Sequence, residues 1–140
     1  MLEDGLSCSS RDGDYIIPSD LPSGLGGTAS APTPSMLLRA AVGSCLAMGY
    51  RLRAARHRVP ITSIEVLVET DSDIAGMLIP DGPARPGFLS LHYHVEIQSS
   101  APPAAVARIV DEADRLSPVL DVVTAGSQPR RTLLINGETL

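Results

Sequence analysis

Residues 33–60 read TPSMLLRAAVGSCLAMGYRLRAARHRVP. Thr33 offers a side-chain oxygen to cap a helix, and Pro34 suits the first helical position, where its missing N–H would be unpaired anyway. The helix is expected from Pro34 to about His57. Leu38, Ala41, Val42, Cys45, Met48, Gly49 and Leu52 recur at helical spacing and form its apolar stripe. Leu37, Ala40, Leu46 and Ala47 fill the flanks, so Ala40 to Gly49 is apolar or small nearly all round, the signature of a buried helix. Arg51, Arg53, Arg56, His57 and Arg58 crowd the last turns, where positive charge suits the helix dipole. Pro60 closes the segment.

Outward from this helix, Ile64 to Thr70 alternates as a strand, with Ile64, Val66 and Val68 on one side and Glu65 and Glu69 on the other. Met77-Leu78-Ile79 reads as a short strand. Leu89 to Ser99 is the cleanest strand: Leu89, Leu91, Tyr93, Val95 and Ile97 face one way, and Ser90, His92, His94, Glu96 and Gln98 the other. Pro102-Pro103 opens a second helix to Leu116, with Val106, Ile109, Val110, Ala113 and Leu116 as its stripe. Ser117-Pro118 begins a short helix to about Val123, and Arg131 to Ile135 is expected as a final strand. Residues 1–33 are loop-like, with Tyr15-Ile16-Ile17 as the one strand candidate. Such a Gly- and Pro-rich arm orders by packing on something else, a partner subunit being one option. The reading is one α+β domain over 1–140.

Composition narrows the function. The chain has 140 residues, eleven Arg and no Lys, which removes a lysine Schiff base and a lysine-bearing phosphate loop. A net charge of −5 and a 3% aromatic content disfavour nucleic acid, which calls for a basic stripe and stacking rings. The longest apolar run, Ala40 to Tyr50, falls short of the ~20 residues of a membrane span. The N-terminus lacks the pattern of a signal peptide. Cys8 and Cys45 make no disulfide framework. A cytoplasmic protein with reduced thiols, no membrane partner and no cofactor is expected.

Cys45 is the first chemical candidate. A mid-helix Cys on an apolar stripe is most often a small buried hydrophobe. A reactive thiol needs a cation or a helix N-terminus beside it. Arg39 and Arg51 are each six residues away, about 240° around the helix, so activation must come from another element or chain. His92 and His94 form an H-x-H pair able to ligate a metal with help from His57 and Glu96, against the simpler reading of a solvated strand face. No metal is expected. Gly24-Leu25-Gly26-Gly27 precedes a Pro-rich loop rather than a helix, unlike a phosphate cradle. Asp71 and Asp73 shape a turn, and no Ser sits in a nucleophile elbow.

Several of these stretches together resemble the OsmC/Ohr family: Leu25-Gly26-Gly27 followed by Pro32-Thr33-Pro34, Leu37 through Gly43-Ser44-Cys45, Ile61 to Gly76 with its Asp-led turn, and Ala113 to Val119. The resemblance spans about residues 21–135. It implies an intertwined α+β homodimer in which bent antiparallel sheets wrap central helices. It also implies thiol-dependent reduction of organic hydroperoxides, in oxidative-stress defence. One Cys attacks the peroxide, a second Cys before a Pro closes a disulfide, and an Arg and a Glu support the thiolate.

Cys45 matches the attacking Cys. Ser117, before Pro118, stands where the second Cys belongs, and Ser35 where the Glu belongs. Arg11 corresponds only loosely to the Arg. A Ser hydroxyl cannot resolve a sulfenic acid, so the resemblance leaves at most a one-Cys peroxidase that borrows an external thiol. The alternative is a non-catalytic homodimer binding a small apolar or lipid-like ligand in a pocket of Leu38, Val42, Cys45, Met48, Ser117 and Pro118. Cys8 resolves Cys45 only if the arm folds back or crosses to a partner.

Overall fold

The computed structural model describes residues 5–125, 134–135 and 138–139. The arm is more regular than expected. Strand β1, Cys8–Asp12, pairs antiparallel with β2, Tyr15–Ser19, with Asp12 opposite Tyr15. The two-residue connection starts at Gly13, whose φ of 57° a β-carbon would strain. The Asp12-Gly13 hairpin signal makes β1 a strand that the loop reading of residues 1–33 missed.

Helix α1, Pro34–His57, matches the expected bounds. Met36 N–H donates to Thr33 Oγ1 at 3.2 Å, the expected cap. Arg58 ends the helix in the left-handed region at φ 57°. Strands β3, Ser63–Asp71, and β4, Ser90–Gln98, pair antiparallel, Val66 opposite Val95 and Val68 opposite Tyr93. Their inner side chains pack on α1, as the alternation predicts. Leu89, placed inward by the same alternation, is exposed, because it precedes the paired strand. The Met77–Ile79 strand is corrected: Ala75–Leu78 is a one-turn helix, α2, begun when Asp73 Oδ1 accepts from Ala75 N–H at 2.9 Å. Among the described residues no strand pairs with it.

Helix α3, Pro103–Arg115, and helix α4, Pro118–Ala125, also pack on α1. Strands β5, Leu134–Ile135, and β6, Glu138–Thr139, pair with each other. The first part of the expected strand from Arg131, residues 131–133, lies outside the described residues. The fold is α+β, built of helices and two-stranded antiparallel sheets.

The core differs from the sequence reading. Among the described residues, Val42, Leu46, Tyr50 and Ala54 are the buried positions of α1, joined by Ile109 and Ala113 of α3. These α1 residues recur every fourth position, so they form one face. Of the expected stripe, Val42 lies in this core, and the other large side chains are turned away from it. Met48 is 70% and Leu52 63% exposed, and Leu38 is exposed as well. Helix α1 therefore has two apolar faces. Its own sheet and α3 cover only one of them.

Candidate functional site

Cys45 sits at the seam of those faces. On a 100° per residue helix it lies about 60° from Val42 and 60° from Met48, between the buried and the exposed apolar rows. Its side chain is half-buried. Across from it stands Ser117, 5% exposed, the residue preceding α4. Cys45 Sγ and Ser117 Oγ are 3.4 Å apart. Ser117 Oγ also accepts from Leu120 N–H at 3.2 Å, the cap expected from Ser117-Pro118. The Ser that stands where a second Cys was expected is thus in contact with the sulfur.

The corner presenting Ser117 is anchored by a carboxylate that the sequence reading did not single out. Asp114 Oδ1 accepts from Tyr50 Oη at 2.7 Å, and Oδ2 accepts from Tyr93 Oη at 2.9 Å. Ser117 N–H donates to the Asp114 carbonyl at 3.3 Å. Asp114 therefore joins α1, β4 and the α3–α4 corner. Burial chiefly, and then the Asp114 carboxylate, push the Tyr50 phenol far above its ordinary range. The Tyr93 phenol is raised for the same reasons in the same order. The available sequence signal was Tyr50 itself, since a phenol inside an apolar helix needs an acceptor when buried.

The remaining expected members lie in different surroundings. Val42 is fully buried in the core, whereas Met48 is open and Pro118 exposed. Leu38 lines a different cavity, of about 500 Å³, with Leu21, Leu25, Ile74, Met77 and Phe88. Ser35 borders that cavity and lies ten residues before Cys45, roughly 15 Å along the helix. Its Oγ meets Thr33 Oγ1 at 3.0 Å. Arg11 is exposed on β1, opposite Ile16. Arg39 donates to Thr70 Oγ1 at 3.0 Å, tying α1 to β3.

The histidines do not converge. His92 and His94 lie on the exposed side of β4, and His94 Nε2 is 3.2 Å from Glu69 Oε2. His57 meets Glu112 of α3 at 2.7 Å, with Arg53 at 3.5 Å on the other oxygen. A shared metal site of His57 with the H-x-H pair is therefore not assembled. Among the described residues no group of three His, Cys, Asp or Glu could hold an ion.

Gly24–Gly27 has a structural role. Asp20, 1% exposed, accepts from Leu21 and Thr28 N–H at 2.7 and 3.0 Å, and from Thr28 Oγ1 at 2.6 Å. It also accepts from Ser30 N–H at 3.1 Å and Ser30 Oγ at 2.9 Å. These bonds, the Thr28 hydroxyl foremost, hold its carboxyl far below the usual carboxylate range. A β-carbon on Gly27 would lie 1.9 Å from the Leu21 carbonyl oxygen and 2.8 Å from Asp20 Oδ1, so only Gly fits. The glycines let the loop close around Asp20.

No helix among the described residues is long and apolar enough to cross a membrane. No curated protein sequence matches the chain significantly. Among solved structures, an OsmC-like protein from Mycoplasma pneumoniae is similar at TM-score 0.70 and 17% identity, over 84% of this chain and 78% of that one. An organic hydroperoxide resistance protein OsmC from Legionella pneumophila is similar at TM-score 0.58 and 16% identity, over 90% and 93%. An OsmC-like hydroperoxide resistance protein from Jannaschia sp. CCS1 gives TM-score 0.61 and 19% identity, over 90% and 78%. These likenesses establish the fold. The family model described as OsmC-like protein matches residues 27–130, most of the chain and the whole Cys45–Ser117 arrangement, and the chain belongs to that family.

Proposed function

We propose that the protein is a thiol-dependent organic hydroperoxide reductase of one-Cys type, acting through Cys45. The observation that carries the reading is the half-buried Cys45 sulfur, 3.4 Å from a buried hydroxyl and at the edge of an exposed apolar face. Family membership and the printed names of the hydroperoxide resistance proteins above favour the same chemistry.

In the first step the Cys45 thiolate attacks the terminal peroxide oxygen. The O–O bond breaks, the alcohol leaves with a proton from water, and Cys45 becomes a sulfenic acid. Ser117 has no sulfur with which to form a disulfide. An external thiol therefore attacks the sulfenic acid, releasing water and leaving a mixed disulfide. A second external thiol returns Cys45 to the thiol and departs as the external disulfide. A cytoplasmic setting would supply such thiols.

The working form is proposed to be a homodimer. Its support is the open row Leu38, Met48 and Leu52 on α1. A second copy laid on α1 would cover that row, with the Cys45 sulfur still reachable at its edge. The hairpin β1–β2, with Tyr15, Ile16 and Ile17 exposed, is the element of the N-terminal arm proposed to pack on the partner. Arg11, exposed on β1 of that arm, is the proposed thiolate partner.

The test is consumption of tert-butyl hydroperoxide with a dithiol, by wild type and Cys45→Ser. Consumption that disappears in the variant supports the reading; equal rates end it. A second reading, a non-catalytic binder of a small apolar ligand, is favoured by the cavity of about 500 Å³ beside Leu38. Binding of a fluorescent fatty acid that persists in Cys45→Ser and is lost in Met77→Asp, with peroxide untouched, would favour that reading.

A further inference from the structure

The hydroxyl of Ser117 is constrained in a way that gives it a direction. Its oxygen accepts the Leu120 N–H at 3.2 Å, and its other neighbour is Cys45 Sγ at 3.4 Å. The residue is 5% exposed, so water competes little for its proton. A thiol can donate to that oxygen, but a thiolate or a sulfenate can only accept. Once Cys45 is ionised or oxidised, the Ser117 O–H is therefore the donor of the pair.

We propose that Ser117 is a positioning residue that preserves oxidised Cys45 as a hydrogen-bonded sulfenate until an external thiol reaches it. The proposal rests on the one-Cys reading above. The competing reaction is further oxidation, in which the sulfenate attacks a second hydroperoxide, gains its oxygen to become a sulfinate, and releases the alcohol. That attack uses a sulfenate lone pair. A donor bound to the sulfenate withdraws electron density from the nucleophile and slows the loss. Reduction needs an incoming thiolate at the sulfur, and the half-buried Cys45 leaves that approach open. Ser117 thus replaces a redox partner with a protective one at the same place. The Tyr50–Asp114–Tyr93 clamp holds the corner on which Ser117 sits.

The experiment uses full-length protein with Cys8→Ser, so that Cys45 is the sole native thiol, and adds Ser117→Ala, Ser117→Thr or Ser117→Cys. Each is exposed to tert-butyl hydroperoxide, and the sulfenic and sulfinic states are followed by dimedone trapping and intact mass. Ser117→Ala is expected to form the sulfinate at least threefold faster, with Ser117→Thr restoring the wild-type rate. A residue that merely capped α4 would alter the melting temperature and leave this partition alone. Equal sulfinate rates in the Ser, Thr and Ala proteins would overturn the proposal.

Ser117→Cys checks the geometry without peroxide. Diamide, which takes up the two hydrogens, is expected to close an internal disulfide between Cys45 and the introduced thiol. No disulfide would overturn the placement of Ser117, and the proposal with it. A disulfide with diamide, but no sulfenic acid with hydroperoxide in the Ser117 protein, would overturn the peroxidase reading instead.

Discussion

Tyr50 Oη lies 2.7 Å from Asp114 Oδ1, and this bond joins the middle of α1 to the end of α3. Tyr50 is fully buried, so its phenol would otherwise have no solvent partner. The same carboxylate also takes the Tyr93 hydroxyl from β4. Three elements that share few other polar contacts are thus pinned at one group, three residues before Ser117.

Tyr50→Phe removes one donor from this carboxylate and is expected to cost about 1.5–3 kcal/mol, the usual range for a bond to a charged group. The pH dependence has a definite sign. The folded phenol titrates above its unfolded value, so the unfolded chain releases its proton first. The Tyr50 contribution is complete below about pH 10 and is lost as pH rises beyond it. Urea unfolding of wild type and Tyr50→Phe should show a gap that narrows between pH 9 and 11; a constant gap would contradict the account.

Asp20 carries the opposite sign. Its carboxyl is depressed by the Thr28 hydroxyl first and then by the Ser30 and Leu21 bonds. The stabilisation is present above about pH 4, the unfolded value, and declines as pH falls below it. Asp20→Asn should speed amide exchange at Thr28 and Ser30 at neutral pH, and the difference in melting temperature from wild type should shrink in acid. Gly27→Ala should loosen the same loop, because the added carbon meets the Leu21 carbonyl.

The two faces of α1 should respond differently to truncation. Leu46 is fully buried, and Leu46→Ala is expected to cost about 2–5 kcal/mol by loss of contacts and the cavity left behind. Chemical denaturation measures it. A loss under 1 kcal/mol would mean that the core is not centred on Leu46.

A charge on the open face should act on assembly instead. Met48→Asp and Leu52→Asp, alone or together, are expected to turn the proposed homodimer into a monomer in sedimentation equilibrium. The cause is an unpaired carboxylate in a buried apolar interface. A wild-type protein that sediments as a monomer, or a variant that stays dimeric, would refute the role given to this face.

The elements of this protein were largely legible before any coordinates. Thr33-Pro34, Ser117-Pro118 and the alternation of Leu91 to Ile97 specify helix starts and a strand through local geometry alone, because caps, proline rings and side-chain direction act within a few residues. The motif order also pointed to the family and to Cys45. Errors at short range came where local signals were overlooked, as in the Asp12-Gly13 turn, or too brief to discriminate, as in Met77–Ile79. Helical spacing established that α1 is apolar on more than one side. It could not establish which side meets its own chain, because periodicity records a face and not its neighbour. Only the tertiary structure chose Val42, Leu46 and Tyr50 for the core, brought Asp114 beneath Tyr50 and Tyr93, and set Ser117 3.4 Å from Cys45. Those contacts join residues 21 to 72 positions apart, from Tyr93–Asp114 to Cys45–Ser117. Chain packing decides such separations, and no local pattern encodes them.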